Sequence, residues 1–523
     1  MDITSPITLW KDYDVSALPL NESSLSPKTE NGANVKEYYF DGYTTVDGRV
    51  RTFVKITEAP TCKGIVLYLS DYNDEQDKIL IDTLIGFGYT VAVMDYKGSS
   101  ENGRHTLYPA SLSNCTVGDS RVFSVPESGS NNWYIWTCLA RRTVSLLKTL
   151  YPNANIYALG MGLGGTTVYK LACFDDGLTA CATLLNIIPT VEGCGNSLIN
   201  YHASLDNSAY ATISKIPMFM AVASNDADGS LDDMSELAEN TESLKCFRIV
   251  ERGFSLGIKS VYNELNNFLT GISENKDVIP RPEITASNSE GSLYFNIKVP
   301  ETENIQVQTR LDLFVSFGIE DVRFRNWMNL PVLSLGGGKY MCKVNVCNEN
   351  KPLHAFANLI TDDGNVQTSD LITIVPKNLG IKERPGVSHR KIYDGSMGKD
   401  GWTTRDGGEI NIAKGPYDIE GVTTTSKSLV SFKLGDPLFK VDADTMLQAM
   451  ICGKPQVITV SVADKTNTYS YSTEIKSEDD WSKLSLTHMN FKSPAGTLLD
   501  WSQICILEFS SDEQFILGSV LWI

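Results

Sequence analysis

Apolar runs alternate with amphipathic stretches through the first half of the chain. Lys63–Ser70 and Tyr89–Asp95 are short apolar runs that predict buried strands, and Ile79–Phe87 between them has the spacing of an amphipathic helix. Such alternation is typical of a parallel sheet with helices on both faces. The same patterns predict strands at Val35–Phe40, Val50–Ile56, Ala182–Ile188, Met218–Ala223 and Lys245–Val250, and helices at Trp133–Leu150 and Val261–Leu269.

The alternation with helices stops at Pro280. Pro280, Pro282 and the serine-rich residues after them have the composition of a linker. Short apolar runs with polar turns follow, and they predict a β-sandwich of immunoglobulin-like type, although no Cys…Trp…Cys pattern marks a true immunoglobulin domain. The predicted strands are Gly291–Val299, Leu311–Phe317, Tyr340–Val346, Leu353–Ile360 and Asp370–Val375.

A second β-rich segment begins near Lys377. Its pattern at Asp480–Leu484 and its closing run Phe515–Trp522 resemble carbohydrate-binding jelly rolls. We therefore predict an α/β domain over residues 1–278, an immunoglobulin-like sandwich over 279–376 and a jelly-roll sandwich over 377–523. Strands of the last segment are predicted at Gln456–Val462, Thr468–Ile475, Trp481–Leu486, Ile504–Glu508 and Gln514–Trp522.

The net charge and the cysteine content indicate which ligands and which cellular compartment to expect. A net charge of −18 over 523 residues disfavours nucleic acid and anionic membranes, and it suits a neutral ligand such as a carbohydrate or simple solubility. No apolar run approaches the about 18 residues of a membrane span, and Met1–Pro6 lacks the pattern of a signal peptide. Eleven cysteines without a C-x-x-C pair indicate free thiols in a reducing cytoplasm and no metal site.

The glycine-rich segment Ile156–Thr167 allows three interpretations. Gly160, Gly162 and Gly165 match the dinucleotide fingerprint G-x-G-x-x-G, which normally belongs to the first βαβ unit of its domain. The glycines also suit a turn that packs a helix closely on a sheet. The third interpretation is the strand–turn–helix elbow G-x-S-x-G of serine hydrolases, in which Gly162 stands where the nucleophilic serine belongs.

Residues 1–275 resemble the acetyl xylan esterase and cephalosporin C deacetylase group of α/β-hydrolases. The matching features occur in the order of that group, and the elbow lies in its expected place. They are Gly86–Tyr89, the turn Asp95–Gly98, Arg104–Pro109 with Ser111-Leu112, and the helix that carries Trp133, Trp136, Arg141 and Arg142. The resemblance implies an α/β-hydrolase fold that needs no cofactor, and carboxylic ester hydrolysis by a Ser–Asp–His triad.

The serine and the histidine of that triad are absent at the positions that the resemblance assigns to them, whereas an acid is present. Asp226 follows a predicted strand where the group carries its acid, with Asp228 as the alternative and an ordinary turn aspartate as the structural explanation. Phe254 stands near the position of the histidine, and no histidine occurs between Asp226 and residue 278. Without a serine to hold, the turn at Gly162 is free to relax.

The resemblance also assigns backbone groups to an oxyanion hole. Leu163 follows the elbow, and Tyr72 lies in the loop after the first buried strand, where the group usually has His-Gly-Tyr. Asp71 replaces the glycine, and a carboxylate facing this site would oppose a developing negative charge. His105 and His202 remain as candidate bases, although residues in polar loops more often have structural roles.

Aromatic residues of the last segment divide into two groups. Trp481, Trp501 and Trp522 alternate with apolar neighbours and are expected in the core. Residues that lie among polar neighbours are candidates for stacking on a sugar ring: Trp402, Tyr417, Tyr469 and Tyr471. We therefore expect a non-catalytic protein that binds a saccharide or a partner; the alternatives are an active hydrolase with displaced catalytic groups and a structural module that drives homo-oligomerisation.

Overall fold

A computed structural model describes the chain outside its most uncertain segments. The described residues are 4–70, 74–98, 103–116, 122–123, 128–174, 176–184, 190–191, 196–226, 229–254, 259–300, 309–384, 389–476 and 478–523. Contacts divide the chain into two compact units. The first comprises Met1–Val222, Asp228–Phe247 and Lys259–Ile279, and the second comprises Ala223–Ala227, Arg248–Ile258 and Pro280–Ile523.

A mixed sheet forms the centre of the first unit. Among the described residues it has ten strands, with β2 beside β3 and the others in the order β1-β3-β4-β6-β5-β8-β9-β11-β12; β7 and β10 pair separately. The strands are β1 (Ser23–Ser24), β2 (Lys28–Glu30), β3 (Ala33–Thr45), β4 (Gly48–Thr57), β5 (Gly64–Leu69), β6 (Tyr89–Asp95), β7 (Val122–Phe123), β8 (Ile156–Met161), β9 (Ala180–Leu184), β10 (Thr190–Val191), β11 (Met218–Ala223) and β12 (Leu244–Val250).

Seven helices are described in the same part of the chain, and those between β5 and β12 lie in the connections between successive strands. They are α1 (Pro6–Trp10), α2 (Asp74–Gly86), α3 (Asn132–Leu150), α4 (Leu163–Leu171), α5 (Asn196–Ser204), α6 (Leu231–Asn240) and α7 (Lys259–Ser273). Strands β6, β5, β8, β9 and β11 pair in parallel, whereas β3 and β4 are antiparallel. Strand β5 is completely buried, as a strand covered by helices on both faces must be. The first half therefore has the α/β-hydrolase fold, which confirms the prediction.

The second unit is built from antiparallel sheets. Two sheets come from the chain up to Ile374: β13-β14-β18-β17, and β16-β15-β19-β20 with β21 beside β19. Their strands are β13 (Glu283–Ser289), β14 (Ser292–Lys298), β15 (Thr309–Phe317), β16 (Met328–Leu330), β17 (Leu333–Gly336), β18 (Lys339–Val344), β19 (Leu353–Thr361), β20 (Val366–Thr368) and β21 (Ile372–Ile374).

Two further sheets of the second unit enclose a common apolar core. Their orders are β23-β24-β33-β26-β29 with β22 beside β33, and β25-β32-β27-β28-β30-β31. This β-rich half confirms the prediction of all-β sandwich structure. The strands are β22 (Lys391–Asp394), β23 (Ile410–Lys414), β24 (Glu420–Thr424), β25 (Ser428–Ser431), β26 (Leu447–Gly453), β27 (Gln456–Ala463), β28 (Thr468–Ile475), β29 (Ser482–Leu486), β30 (Lys492–Ser493), β31 (Gly496–Thr497), β32 (Ile506–Ser510) and β33 (Phe515–Trp522).

The boundary near Pro280 differs from the predicted linker. The serine-rich residues are not a linker but strand β13, in which Ile284 is buried and pairs with Ile297 of β14. Cross-strand pairing therefore overrides the turn-like composition of this stretch. The three domain ranges and the immunoglobulin-like and carbohydrate-binding-like types remain predictions.

Close packing between α4 and β5 makes Gly164 a sensitive position. A Cβ atom at Gly164 would lie 2.0 Å from the carbonyl oxygen of Leu69. We expect Gly164→Ala to lower the free energy of unfolding by about 3 kcal/mol or more, because backbone must move to admit the methyl group. Thermal and urea unfolding of the full chain measure the effect.

Gly271→Ala is the matched control. Gly271 lies in α7, and a Cβ atom at this position would be 3.9 Å from its nearest neighbour, the Cβ of Lys276. Alanine is a better helix former than glycine, so this variant should keep its stability or gain up to about 1 kcal/mol. Equal behaviour of the two variants would contradict the close packing of α4 on β5.

Candidate functional site

Gly162 joins the buried strand β8 to helix α4 in a backbone conformation that disfavours side chains. Its φ is 53° and its ψ is −118°. Its N–H donates to the carbonyl oxygen of Leu184 at 2.9 Å, and its own carbonyl accepts the N–H of Thr166 at 3.2 Å. The expected relaxation of this turn is therefore wrong: the chain keeps a conformation that costs a non-glycine residue about 1–3 kcal/mol.

Neighbouring glycines explain the rest of the motif by packing. A Cβ atom at Gly160 would lie 2.3 Å from the backbone of Gly164, so the strand and the helix can approach only without side chains at these positions. The dinucleotide interpretation is disfavoured, because β3, β4, β5 and β6 all precede β8 in the same sheet. The segment is an elbow by its geometry.

The oxyanion residues assigned from the sequence are only partly visible. Leu163 is the first residue of α4 and its apolar side chain is fully buried, so its backbone N–H is the donor that the oxyanion assignment concerns. Asp71 and Tyr72 lie outside the described residues, and so does Asp228. Their assignments remain predictions.

Asp226 follows β11, as the sequence predicts for the acid, and it belongs to the second unit. Its side chain is buried, and its N–H donates to the carbonyl oxygen of Ala223 at 3.3 Å. The preceding residue, Asn225, is also buried, and its N–H donates to the carbonyl oxygen of Gly253 at 3.0 Å. The two loops that the resemblance assigns to acid and base are thus joined directly.

The side-chain amide of Asn225 binds a third segment of the second unit. Its Nδ2 lies 2.9 Å from the carbonyl oxygen of Arg325, 3.3 Å from that of Arg323 and 3.4 Å from that of Val322. Its Oδ1 accepts the hydroxyl of Ser224 at 2.8 Å. The Asn225 amide therefore holds the turn around residues 322–325, a role that its sequence context did not indicate.

Phe254 and Arg252 have structural contacts where a catalytic histidine is expected. The ring of Phe254 lies 5.2 Å from that of Phe432, and the guanidinium of Arg405 lies 5.1 Å from its centre. Arg252 donates through Nε to the carbonyl oxygen of Trp327 at 2.8 Å and forms an ion pair with Asp400. This loop is built into the second unit.

A cavity of about 470 Å³ opens in the first unit between α4, α5 and α6. His202 lies on its wall, with Nδ1 3.0 Å from Oδ2 of Asp206, and its side chain is 58% exposed. The other candidate base, His105, lies in a segment fixed by its neighbour Thr106, which binds Asp95 and Phe53. The cavity is lined by Thr166, Tyr201, His202, Asp206, Asn207, Ser208, Thr212, Asp233, Met234, Glu236, Leu237 and Asn240.

Lys170 lies behind this cavity and is almost completely buried. Its ammonium donates to Oδ1 of Asn207 at 2.6 Å and to the carbonyl oxygen of Thr166 at 3.3 Å. The rings of Trp133 and Tyr210 each have their centres 5.4 Å away. Burial away from water lowers the pKa of Lys170 from 10.5 to about 7. A lysine within the apolar run Val168–Cys173 was the sequence signal that we missed.

The structure separates the four aromatic residues proposed for sugar stacking. The prediction that Trp402 stacks on a sugar ring is wrong. This residue is 4% exposed and lies in the core against the rings of Tyr393 and Phe509, so its faces are covered. Tyr469 and Tyr471 pair with the buried Val462 and Val460 and pack at the edge of the same core. These two rings therefore face the core and do not fit an exposed surface on which a sugar could stack. Tyr417 alone of the four is widely exposed, at 79%.

The tryptophans expected in the core also differ among themselves. Trp501 and Trp522 are buried, and their ring centres lie 5.0 Å apart. Trp481 is partly exposed and stands outside that core cluster. Placement of Trp481 in the core was therefore wrong.

The described residues offer no obvious place for a metal or a membrane span. No group of three or more His, Cys, Asp and Glu side chains among them is arranged to hold a metal ion. None of the helices in this part of the chain combines the length and the apolar character needed to cross a membrane.

Comparison with known proteins gives structural likeness to hydrolases over half of the chain. No family model matches the sequence, and no curated protein matches it. An S-formylglutathione hydrolase from Agrobacterium tumefaciens is similar over 48% of this chain and 99% of its own, with 11% identity and a TM-score of 0.34. An acetyl xylan esterase from Paenibacillus sp. R4 is similar over 49% of this chain and 90% of its own, with 12% identity and a TM-score of 0.34. Est1E from Butyrivibrio proteoclasticus is similar over 48% of this chain and 100% of its own, with 10% identity and a TM-score of 0.30.

Removal of the Asn225 amide should loosen the segment that it binds. We expect Asn225→Ala to destabilise the second unit by about 1–3 kcal/mol, because a buried backbone carbonyl loses its donor. Hydrogen–deuterium exchange should become faster around residues 322–327. Asn240→Ala is the control, since Asn240 is exposed and its Nδ2 binds only its own helix at Glu236; similar exchange in both variants would contradict the proposed role.

Titration of Lys170 should give the first unit a pH-dependent stability. Its folded pKa of about 7 lies below the unfolded value, so the unfolded chain binds more protons between about pH 7 and pH 10. The free energy of unfolding should therefore rise with pH across this window, and this contribution is lost as pH falls through 7. Urea unfolding at several pH values measures the slope.

Lys170→Met should flatten that slope, whereas Lys78→Met, at an exposed position on α2, should leave it as in the parent chain. A slope that survives in Lys170→Met would show that other groups cause it.

Proposed function

We propose that this chain is an esterase-like α/β-hydrolase that has lost ester hydrolysis and serves as a saccharide- or partner-binding protein. The observation that carries the proposal is Gly162, which occupies the nucleophile position of an elbow that keeps its backbone geometry. Acyl transfer at this place needs a side-chain nucleophile, and glycine has none. The acetyl xylan esterase resemblance of the sequence supports the origin of the elbow.

The expected base position supports the same proposal. Serine chemistry needs a group that takes the hydroxyl proton and returns it to the leaving group. Phe254 is unable to transfer a proton, and its ring is engaged with Phe432 and Arg405. Residues 227–278, where the resemblance places the histidine that would pair with Asp226, contain none.

A saccharide is the ligand class that the β-rich half favours. The net charge of −18 suits a neutral ligand better than a polyanion. Tyr417 offers an open aromatic ring of the kind that stacks on the apolar face of a sugar. The alternatives are a protein partner and assembly into a homo-oligomer through the β-domains.

We place the protein in the cytoplasm on the chemistry of its thiols. The cysteines of the described residues are free, and Cys138 and Cys181 are among those that are fully buried. Burial raises the pKa of these two thiols well above the usual value, which keeps them protonated and unreactive. Free thiols in such number are typical of a reducing compartment.

One observation favours a second function, hydrolysis by displaced groups. His202 and Asp206 form an imidazole–carboxylate pair at 3.0 Å, and Ser208 lies on the same cavity wall. These three residue types are those of a catalytic triad. His202 is exposed and Asp206 lies four residues later, just past the end of α5, however, which is also the spacing of an ordinary surface ion pair.

Activity measurements separate the two functions. We expect no turnover of nitrophenyl acetate or acetylated xylo-oligosaccharides above a heat-denatured control, and no stoichiometric labelling by a fluorophosphonate probe. Labelling mapped to Ser208, and abolished in His202→Ala, would instead establish the displaced site. Labelling at any other serine would contradict both functions.

Rebuilding the missing pair tests how much of the catalytic geometry is left. Gly162→Ser should destabilise the first unit by about 1–3 kcal/mol, because serine must adopt the positive φ of the turn. Combined with Phe254→His it should give at most weak esterase activity, since the ring of Phe254 is held by aromatic contacts of the second unit. The single variant Gly162→Ser is the control for activity, and unfolding curves report stability.

Rates of an ordinary esterase in the double variant would mean that the acid, base and oxyanion positions are all still in working geometry. That result would contradict the proposed loss of function by divergence of the whole site.

A further inference from the structure

The hairpin between β23 and β24 ends in a strained turn at Tyr417. Gly415 and Ile419 close the loop, with the Gly415 N–H 2.9 Å from the Ile419 carbonyl oxygen. Tyr417 has a φ of 61° and a ψ of 26°, and Asp418 has a φ of 58°. Two successive positive φ angles are typical of a type I′ turn, which normally has Asn-Gly at these positions. A bulky aromatic residue here is a conformational outlier.

Trp481, the residue before β29, holds this turn by a hydrogen bond. Its indole Nε1 donates to the carbonyl oxygen of Pro416 at 3.1 Å. A Cβ atom at Gly415 would lie 2.5 Å from the indole, and one at Gly518 would lie 2.7 Å from it. The indole therefore packs against Gly518 of β33 and against Gly415, which follows β23, and only the absence of side chains at both positions permits this.

Exposure sets these two aromatic residues apart from the core of the sandwich. Tyr417 is 79% exposed and Trp481 is partly exposed, whereas Trp402 is 4% exposed. Exposed charged residues flank the turn at Lys414, Asp418 and Glu420. Backbone strain persists only where the surrounding structure enforces it, and it concentrates at functional positions.

We propose that Tyr417 and Trp481 form the saccharide-contacting surface of this sandwich. The inference deepens the proposed function and rests on its saccharide-binding part. Open aromatic rings stack on the apolar faces of sugar rings, and the flanking charged groups can bind sugar hydroxyls. The turn has a defined, hydrogen-bonded backbone, so binding requires little additional ordering of the loop.

A protein partner fits the same surface less well. Hot spots of protein interfaces lie in desolvated apolar surroundings, where neighbouring contacts exclude water. Between Lys414 and Glu420, Ile419 is the one exposed aliphatic side chain, and charged groups occupy the other exposed positions apart from Tyr417. This surface suits a ligand that combines apolar faces with many hydroxyls.

The strain at Tyr417 provides a test that separates binding from folding. Tyr417→Gly removes the ring and places glycine where its conformational freedom is favourable. The thermal unfolding midpoint should rise by a few degrees while saccharide binding is lost. A variant that loses function through misfolding would show the opposite change in the midpoint.

Calorimetric titration of the full chain with xylohexaose and with cellohexaose tests the proposal. We expect at least one of them to bind the parent chain, and Tyr417→Gly to weaken that binding about tenfold or more, as loss of a stacked ring should. Tyr417→Phe should bind almost as the parent does. Tyr294→Ala, at a partly exposed tyrosine on β14, is the control and should not change binding.

Unchanged binding in Tyr417→Gly would overturn this surface while leaving the proposed saccharide function intact. Absence of binding to both oligosaccharides by the parent chain would overturn the inference, and the separate labelling experiment would still decide the loss of hydrolysis. Self-association that depends on Tyr417 without saccharide binding would replace the saccharide by a second copy of the chain.

Discussion

The side-chain amide of Asn225 is the interaction on which the arrangement of the loops after β11 and β12 depends. It binds the carbonyl groups around residues 322–325, and its backbone N–H binds Gly253. In a buried environment a donor with no alternative partner holds its acceptors firmly. The loops after β11 and β12 therefore belong to the second unit, and Phe254 packs there at the edge of a small apolar core.

Backbone strain is distributed unexpectedly between the two halves of the molecule. Gly162 keeps the conformation of a nucleophile elbow without a side chain, so the position costs little and offers no chemistry. Tyr417 adopts a positive φ with a large side chain, so the position is costly and presents an open ring. The conformational cost is thus absent at Gly162 and present in the β-rich half, where we propose ligand binding.

A buried polar group in the interior of the first unit has defined interaction partners. The ammonium of Lys170 has a defined acceptor in Asn207 and aromatic rings on two sides. Burial of such a group is unfavourable unless its hydrogen bonds are made. The first unit is therefore well packed behind its cavity.

The sequence by itself determined the fold class and the residue at the centre of the glycine-rich turn. Alternation of apolar runs with amphipathic helices fixes the layered α/β half, and the identity of Gly162 needs no coordinates, because periodicity and residue type are local properties. Burial of Trp402, the inward-facing Tyr469 and the contacts of Asn225 were decided by the tertiary structure. These depend on which distant segments meet: Asn225 and Arg325 are 100 residues apart, and no local pattern records such a contact.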